Sequence, residues 1–350
     1  QEVLARYVGW GGLADCFDER HSKYGELKAL LTEDEYAAAR ASTLNAHYTT
    51  PVVIRAIYDT LSNMGFQTGN ILEPSCGVGN FFGCLPETMG DSKLYGVELD
   101  SLTGRIAQQL YQRASITVQG YERVNYPKDF FDVAVGNVPF GSYQVNDKAY
   151  NRLGFSIHNY FFAKALDQVR PGGIVAFVTS RYTLDSKDTT VRKYLAQRAE
   201  LLGAIRLPNN AFKANAGTEV VTDVIFLQKR DHIDLSEPAW VQLGESANGF
   251  AVNHYFADHP EMILGVQTSE NTQYGKQDFT VAPMEGTSLE NQLAGAIQNI
   301  HGVYTEAAPA DVEDAEVDDS IPADPAVRNY SYTVVDGKVY YRENSCMTPV

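Results

Sequence analysis

The 350-residue chain has few cysteines, and nothing groups them. Cys16, Cys76, Cys84 and Cys346 form no C-x-x-C pair and have no histidine at zinc-ligand spacing, which points to a reduced, intracellular protein with no metal site. No apolar run approaches the roughly 20 residues that span a bilayer. The N-terminal QEVLARYVGWGG lacks the basic start and apolar stretch of a secretory signal. A basic excess is also missing. The 28 Lys+Arg face 44 Asp+Glu, a net charge of −16, which excludes a basic membrane-surface helix and, taken whole, argues against a nucleic-acid footprint. Disorder is excluded too, because 44% of residues are apolar and only 21% charged.

The acidity is unevenly placed. Residues 1–100 carry 7 basic and 14 acidic side chains, residues 101–230 carry 17 and 10, and residues 231–350 carry 4 and 20. The middle is therefore basic. The run DVEDAEVDDS at 311–320 reads as a solvated linker.

The length fits about two domains. Residues 1–45 read as an N-terminal helical extension, with a helix over 31–40 and capping-box spacing from Thr32 to Glu35. From 46 to 230 helix and strand patterns alternate. A helix over 51–64 begins at Pro51 and puts Val53, Ile57, Leu61 and Met64 on one face. Further helices are expected over 101–111, 157–169 and 191–200. Strands are expected over 70–74, 94–100, 115–120, 131–137, 173–180, 201–208 and 219–230. This alternation predicts an α/β fold, a doubly wound, mostly parallel seven-stranded Rossmann-like sheet. The helix-free connection between the last two strands allows an antiparallel strand at the edge. Residues 231–308 read as an accessory region, 309–327 as the acidic linker, and 328–350 as a hairpin turning at Asp336-Gly337 and opening a further region.

The first strand of the alternating region runs into LEPSCGVGNFF at 72–82. Gly77 and Gly79 mark a strand-to-helix turn where backbone can approach a ligand. The spacing is not G-x-G-x-x-G, so a plain dinucleotide fingerprint is absent. Glu73 precedes the turn, where its charge would repel a pyrophosphate but suit a cation. S-adenosylmethionine, with an ammonium, a sulfonium and no phosphate, fits that environment. Glu98, 19 residues past Gly79, ends the next strand, where an acid holds ribose hydroxyls in nucleotide-binding α/β folds.

Asn137-Val138-Pro139-Phe140 follows the fourth strand, at the carboxyl edge where such sheets bind ligands. This run resembles the Asn/Asp/Ser-Pro-Pro-aromatic signature of amino-methyltransferases. LEPSCGVGNFF is similar to their Asp-Pro-x-x-Gly-x-Gly-x-Phe element, and HYTTP at 47–51 to their Tyr-Thr-Pro element. The order of motifs resembles the gamma arrangement of adenine-N6 DNA methyltransferases. With GWGG at 9–12, RPGG at 170–173 and AIRLPNNAF at 204–212, the chain resembles the methylase portion of the large methylase–helicase proteins of bacterial conjugative elements and phages. The resemblance implies a bacterial cytoplasmic protein. A helicase region would belong to the same full-length chain, and the abrupt ends fit a fragment.

The resemblance implies S-adenosylmethionine as cofactor. Tyr48, Thr49, Thr50, Glu73, Ser75, Cys76, Gly77, Gly79, Asn80, Phe81, Glu98, Leu99, Tyr121, Glu122 and Asn137 would hold it. It also implies transfer to the N6 amine of adenine. The Asn137 side chain and the Val138 carbonyl would accept the amine's hydrogens, Pro139 would stiffen the loop, and Phe140 would stack on a base swung out of the duplex. Val138 replaces the usual first proline, and Glu122 stands where a Gly-Asp pair is expected. Phe140, Tyr143, Lys148, Arg152, Arg181, Lys187 and Lys213 are the candidate DNA contacts. Arg192, Lys193 and Arg206 belong to the same basic middle, although Arg192, Lys193 and Arg198 also fit a solvated helix face. The short, acidic 231–308 region is a poor reader of base edges, so relaxed specificity and protection of mobile-element DNA from restriction are expected. A protein-glutamine methyltransferase and a non-catalytic cofactor- or DNA-binding module are the alternatives.

Overall fold

The computed structural model describes residues 7, 9–43, 49–212, 220–271, 277–306, 321–324, 326–328, 330–343 and 346–349. They fall into two compact units, Gln1–Glu306 and Ala307–Val350. The acidic run at 311–320 lies outside the described residues.

The first unit is built on a seven-stranded sheet. Its strands are β1 (Asn70–Glu73), β2 (Lys93–Glu98), β3 (Ser115–Val118), β4 (Phe131–Asn137), β5 (Val169–Ser180), β6 (Ala199–Leu207) and β7 (Thr222–Lys229), in the order 3-2-1-4-5-7-6. The first five pair in parallel. Ile174 to Val178 are fully buried, as a central parallel strand covered on both faces requires. The antiparallel strand is not at the edge as the helix-free connection allowed. β7 runs antiparallel between β5 and β6 and leaves β6 outermost. The residue pattern explains this, since Val224 to Leu227 are at most 1% exposed and need covered neighbours, while β6 carries exposed Glu200.

The helices start where local chemistry supports them. Short α1 (Tyr24–Leu30) leads to α2 (Glu33–Ser42), which has the full capping box: Glu35 N donates to Thr32 Oγ1 at 3.2 Å and Thr32 N to Glu35 Oε2 at 3.1 Å. α3 (Pro51–Asn63) has proline in its first turn and buries Val53, Ile57 and Leu61 in the main core. The one-turn α4 (Asn80–Gly83) follows β1, and α5 (Ser101–Leu110), capped by Asp100, follows β2. α6 (Ile157–Gln168) precedes β5, one-turn α7 (Tyr182–Asp185) follows it, and α8 (Thr190–Arg198) precedes β6. Residues 231–306 add the hairpins Leu243–Glu245/Ala251–Asn253 and Val266–Asn271/Gln277–Ala282 and a helix, Leu289–Ala296. They join the same core: Val252, Phe256, Met262 and Val281 are fully buried within it, and Tyr304 N donates to Met64 O at 2.8 Å.

The second unit is a four-stranded antiparallel sheet. Its hairpin Tyr332–Val335/Lys338–Glu343 turns at Asp336 and Gly337, both at positive φ (49° and 81°), as a type I′ turn demands. Among the described residues no helix is long and apolar enough to cross a membrane, and no group of three or more His, Cys, Asp or Glu is placed to hold a metal ion.

Candidate active site

The sheet order reverses between β1 and β4, and a cavity of about 450 Å³ opens at their carboxyl ends. β1 delivers Glu73 to its floor. The turn Ser75–Gly79 follows, with Gly77 at φ +55° and Gly79 at φ +88°. Three bonds fasten this turn. Cys76 N donates to Val97 O at 2.9 Å, Gly77 N to Glu98 Oε2 at 2.8 Å, and Ser75 Oγ to Asn137 O at 2.8 Å. The last bond couples the glycine turn to the loop after β4.

The two acids differ. Glu73 is 2% exposed, its Oε2 has no hydrogen-bond partner among the described residues, and burial holds its carboxyl well above the usual carboxylate range, with Glu98 adding to the effect. Glu98 accepts the N–H groups of Gly77 and Asp100, both at 2.8 Å. Burial still pushes it up to about 7, against the pull of those two bonds. Burial also raises the Cys76 thiol, with Glu73 contributing.

Of the residues marked from the sequence for a cofactor, Thr49, Glu73, Ser75, Cys76, Gly77, Asn80, Phe81, Glu98, Leu99, Tyr121, Glu122 and Asn137 line this one cavity. Thr50 caps α3 and Gly79 caps α4; neither lines the cavity. Gly79 instead makes room for Tyr111, whose Cε2 would lie 2.5 Å from an added Cβ. Tyr48 lies outside the described residues.

Of the loop after β4, Asn137 and Pro139 line the cavity. Val138 is fully buried, its N–H bonded to Val178 O at 3.0 Å, and Phe140 is half-buried beside it. The loop continues past Tyr143, Val145 and Asn146, which also line the cavity, and α6 fastens it at three points. The His158 ring bonds the Gly141 backbone, Ile157 N donates to Tyr143 O at 2.9 Å, and Asp147 accepts from Tyr160 Oη at 2.8 Å and Lys164 Nζ at 2.9 Å. Burial lowers His158 to about 4, so its ring is neutral near pH 7.

The basic candidates divide. Lys148, Arg152 and Lys187 are exposed, and Tyr143 is 42% exposed at the cavity mouth. Lys213 lies outside the described residues. Arg181, Arg192 and Arg206 are not surface cations, a correction to the reading from charge. Arg206 is fully buried, with Nε 2.8 Å from Asp223 Oδ1 and Nη1 2.7 Å from Asp185 Oδ2. Arg181 is 9% exposed beside the same Asp185, at 3.5 Å. Arg192 is also fully buried and donates to the carbonyls of Val241 and Ser186, both at 2.7 Å. Neither Arg192 nor Arg206 has surface to meet a phosphate, nor is Arg192 on a solvated helix face. Lys193, by contrast, pairs at the surface with Glu237 at 2.8 Å. Lining residues not marked in advance include Gly9, Thr103, Gln119, Gly120, Asn146 and Phe161. Of these only Gly9 sat in a motif already noticed.

The N-6 DNA methylase family model matches residues 30–245. The chain belongs to the N-6 DNA methylase family. Defense against restriction protein B of Escherichia phage P1 is 33% identical over 235 residues, 65% of this chain and 9% of that protein, so the chain spans less than a tenth of its curated relative. A putative class I S-adenosylmethionine-dependent methyltransferase from Listeria monocytogenes is 21% identical with a TM-score of 0.46, over 55% of this chain and 64% of that one. A modification subunit of a putative type I restriction enzyme from Vibrio vulnificus is 18% identical with a TM-score of 0.45, over 78% of this chain and 67% of that one.

Methylases of this family use S-adenosylmethionine, and the cavity of this chain fits it. Glu73 offers a buried carboxylate oxygen with no partner, the complement of an ammonium. The turn at Gly77 brings backbone to the cavity wall, and Glu98, on the same wall, would accept ribose hydroxyls.

Proposed function

We propose that this chain transfers a methyl group from S-adenosylmethionine to the exocyclic N6 amine of adenine in DNA. The observation that carries this reading is the sharing of one cavity by the acids Glu73 and Glu98 and the loop residues Asn137 and Pro139, with Ser75 bonded across to the Asn137 carbonyl. S-adenosylmethionine, when bound, supplies an activated methyl group on its sulfonium. The protein's part is to prepare the nucleophile. The adenine amine is weak because its lone pair is delocalised into the ring. Asn137 Oδ1, on the cavity wall, accepts one of its hydrogens, draws the nitrogen toward tetrahedral geometry and localises that pair; Val138, the second acceptor expected from the sequence, is fully buried and outside the lining. Val138 instead anchors the loop where the usual first proline would stiffen it, because its N–H continues the β5 ladder at Val178. Phe140 and Tyr143 stack on the extruded base, offsetting part of the unstacking cost by roughly 1–3 kcal/mol.

Exposed Lys148, Arg152 and Lys187 hold backbone phosphates, so binding weakens with salt. The acidic 231–306 region packs into the core and offers few cations to read base edges, which favours relaxed specificity. Protection of mobile-element DNA from restriction is the biological role we assign; the name of the phage P1 relative supports it. Partnership with a helicase region in a longer chain rests on the resemblance of the motifs.

The test is incubation with methyl-labelled cofactor and separate pools of DNA and of ribosomal or release-factor protein. Label in DNA, lost on salt elevation, is the expected outcome. Label in protein alone would transfer the assignment to glutamine methylation.

A further inference from the structure

The family match begins at residue 30, but the cavity wall begins earlier. Gly9 lines it, together with Leu99 and Thr103. At φ +71° Gly9 takes the left-handed conformation that glycine enters without penalty. Trp10 is 6% exposed, edge-on to Tyr7 and to Phe17 with ring centroids 6.1 and 6.0 Å away. With Phe17 and Ala39 it forms a small core against which Leu102 of α5 packs.

The indole N–H has a specific target. It donates to Asp100 Oδ2 at 3.2 Å, ninety residues along the chain. The same carboxylate oxygen caps α5 by accepting from Thr103 N at 3.0 Å and from the Thr103 hydroxyl. The Asp100 backbone N–H donates to Glu98 Oε1 at 2.8 Å. Contacts therefore run unbroken from Trp10 through Asp100 to Glu98, which lines the cavity. Asp100 Oδ1 and Ser101 Oγ, both buried, find no hydrogen-bond partner among the described residues, so this corner holds more polar atoms than packing alone requires.

We infer that Gly9 and Trp10 belong to the cofactor site, with Gly9 as wall and Trp10 as a positioning residue that sets the Glu98-Leu99-Asp100 turn through Asp100. This rests on the reading that the cavity takes S-adenosylmethionine. A methylase trimmed to the family match would keep the sheet and lose a wall of its cofactor pocket. If Trp10 only filled the small core, its N–H would be dispensable; the bond to Asp100 makes the N–H the functional part.

The chain has two tryptophans, and Trp240 lies in a short turn, Ala239–Val241, away from the cavity. In a Trp240→Phe background the emission of Trp10 is followed as S-adenosylhomocysteine is added, with affinity measured separately by calorimetry. The emission is expected to change saturably at the calorimetric Kd. Trp10→Phe, which keeps an aromatic ring and loses the donor, is expected to weaken S-adenosylhomocysteine binding about 3- to 10-fold. It should raise KM for the cofactor and leave kcat at saturating cofactor unchanged. Trp10→His, a smaller ring with an N–H, should recover affinity that Trp10→Phe loses; a packing role gives the opposite order. Emission blind to bound S-adenosylhomocysteine, or Trp10→Phe with unaltered affinity, overturns the inference. Failure of the unaltered chain to bind S-adenosylhomocysteine overturns the cofactor reading itself.

Discussion

Glu73→Gln should make the protein more stable and a worse methylase. The side chain is 2% exposed, with one carboxylate oxygen lacking a partner, and burial raises its pKa well above 4.5. Ionising this buried, incompletely satisfied carboxyl costs about 1–3 kcal/mol, a cost that a neutral amide does not carry. Glutamine keeps the shape and removes the charge, so the empty protein should melt about 2–6 °C higher near pH 8. The pH dependence has a definite sign. A raised folded pKa contributes stability that is fully present below the unfolded value and fades as pH rises toward the folded one. The variant and the unaltered chain should therefore unfold together near pH 4 and separate above about 4.5, the ordinary glutamate value. With ligand the effect reverses. Losing a buried charge-assisted bond to the ammonium should cost about 2–3 kcal/mol, roughly 30- to 150-fold in Kd. Calorimetric titration with S-adenosylhomocysteine reads this loss. Titration with 5′-methylthioadenosine, which lacks the amino-acid end, should show almost none. Equal losses for the two ligands, or a lower melting temperature at pH 8, would refute the assignment of Glu73 to the ammonium.

Glu98, raised to about 7, should make cofactor binding pH-dependent in the opposite sense to stability. Its carboxylate form accepts ribose hydroxyls, so affinity should climb as pH rises toward about 7 and flatten above it, and Glu98→Gln should remove this part of the slope, leaving only what Glu73 contributes. A slope undiminished in the variant points to another group. Gly79→Ala meets both a φ of +88° and the Tyr111 ring 2.5 Å from the new Cβ, so it should destabilise by about 1–3 kcal/mol in denaturant titrations. No loss of stability would mean that the turn is looser than described.

The strands were legible because a parallel sheet buried on both faces writes apolar runs such as GIVAFVTS at 173–180. The cavity's acids and glycine turn were legible because all of them fall at strand ends, where spacing along the chain converts directly into position. What was not legible depends on contacts far apart in sequence. The place of β7 is set by two antiparallel ladders, to β5 and to β6, that a loop of unknown path conceals. Arg206 counts as a surface cation until Asp185 and Asp223 close on it from other elements. Gly9 lines the cavity beside Trp10, which bonds to Asp100 ninety residues further along the chain. Formal charge records none of this burial, and it overstates the cations available for DNA.

The account turns on Asn137 acting at an adenine amine. Nucleoside mass spectrometry of DNA incubated with the protein and S-adenosylmethionine tests this most directly. We expect N6-methyladenine from the unaltered chain. From Asn137→Ala we expect at least about a hundredfold less (roughly 3 kcal/mol in the transition state), with S-adenosylhomocysteine affinity preserved. Methylation at another base position, or undiminished N6-methyladenine from Asn137→Ala, would contradict it.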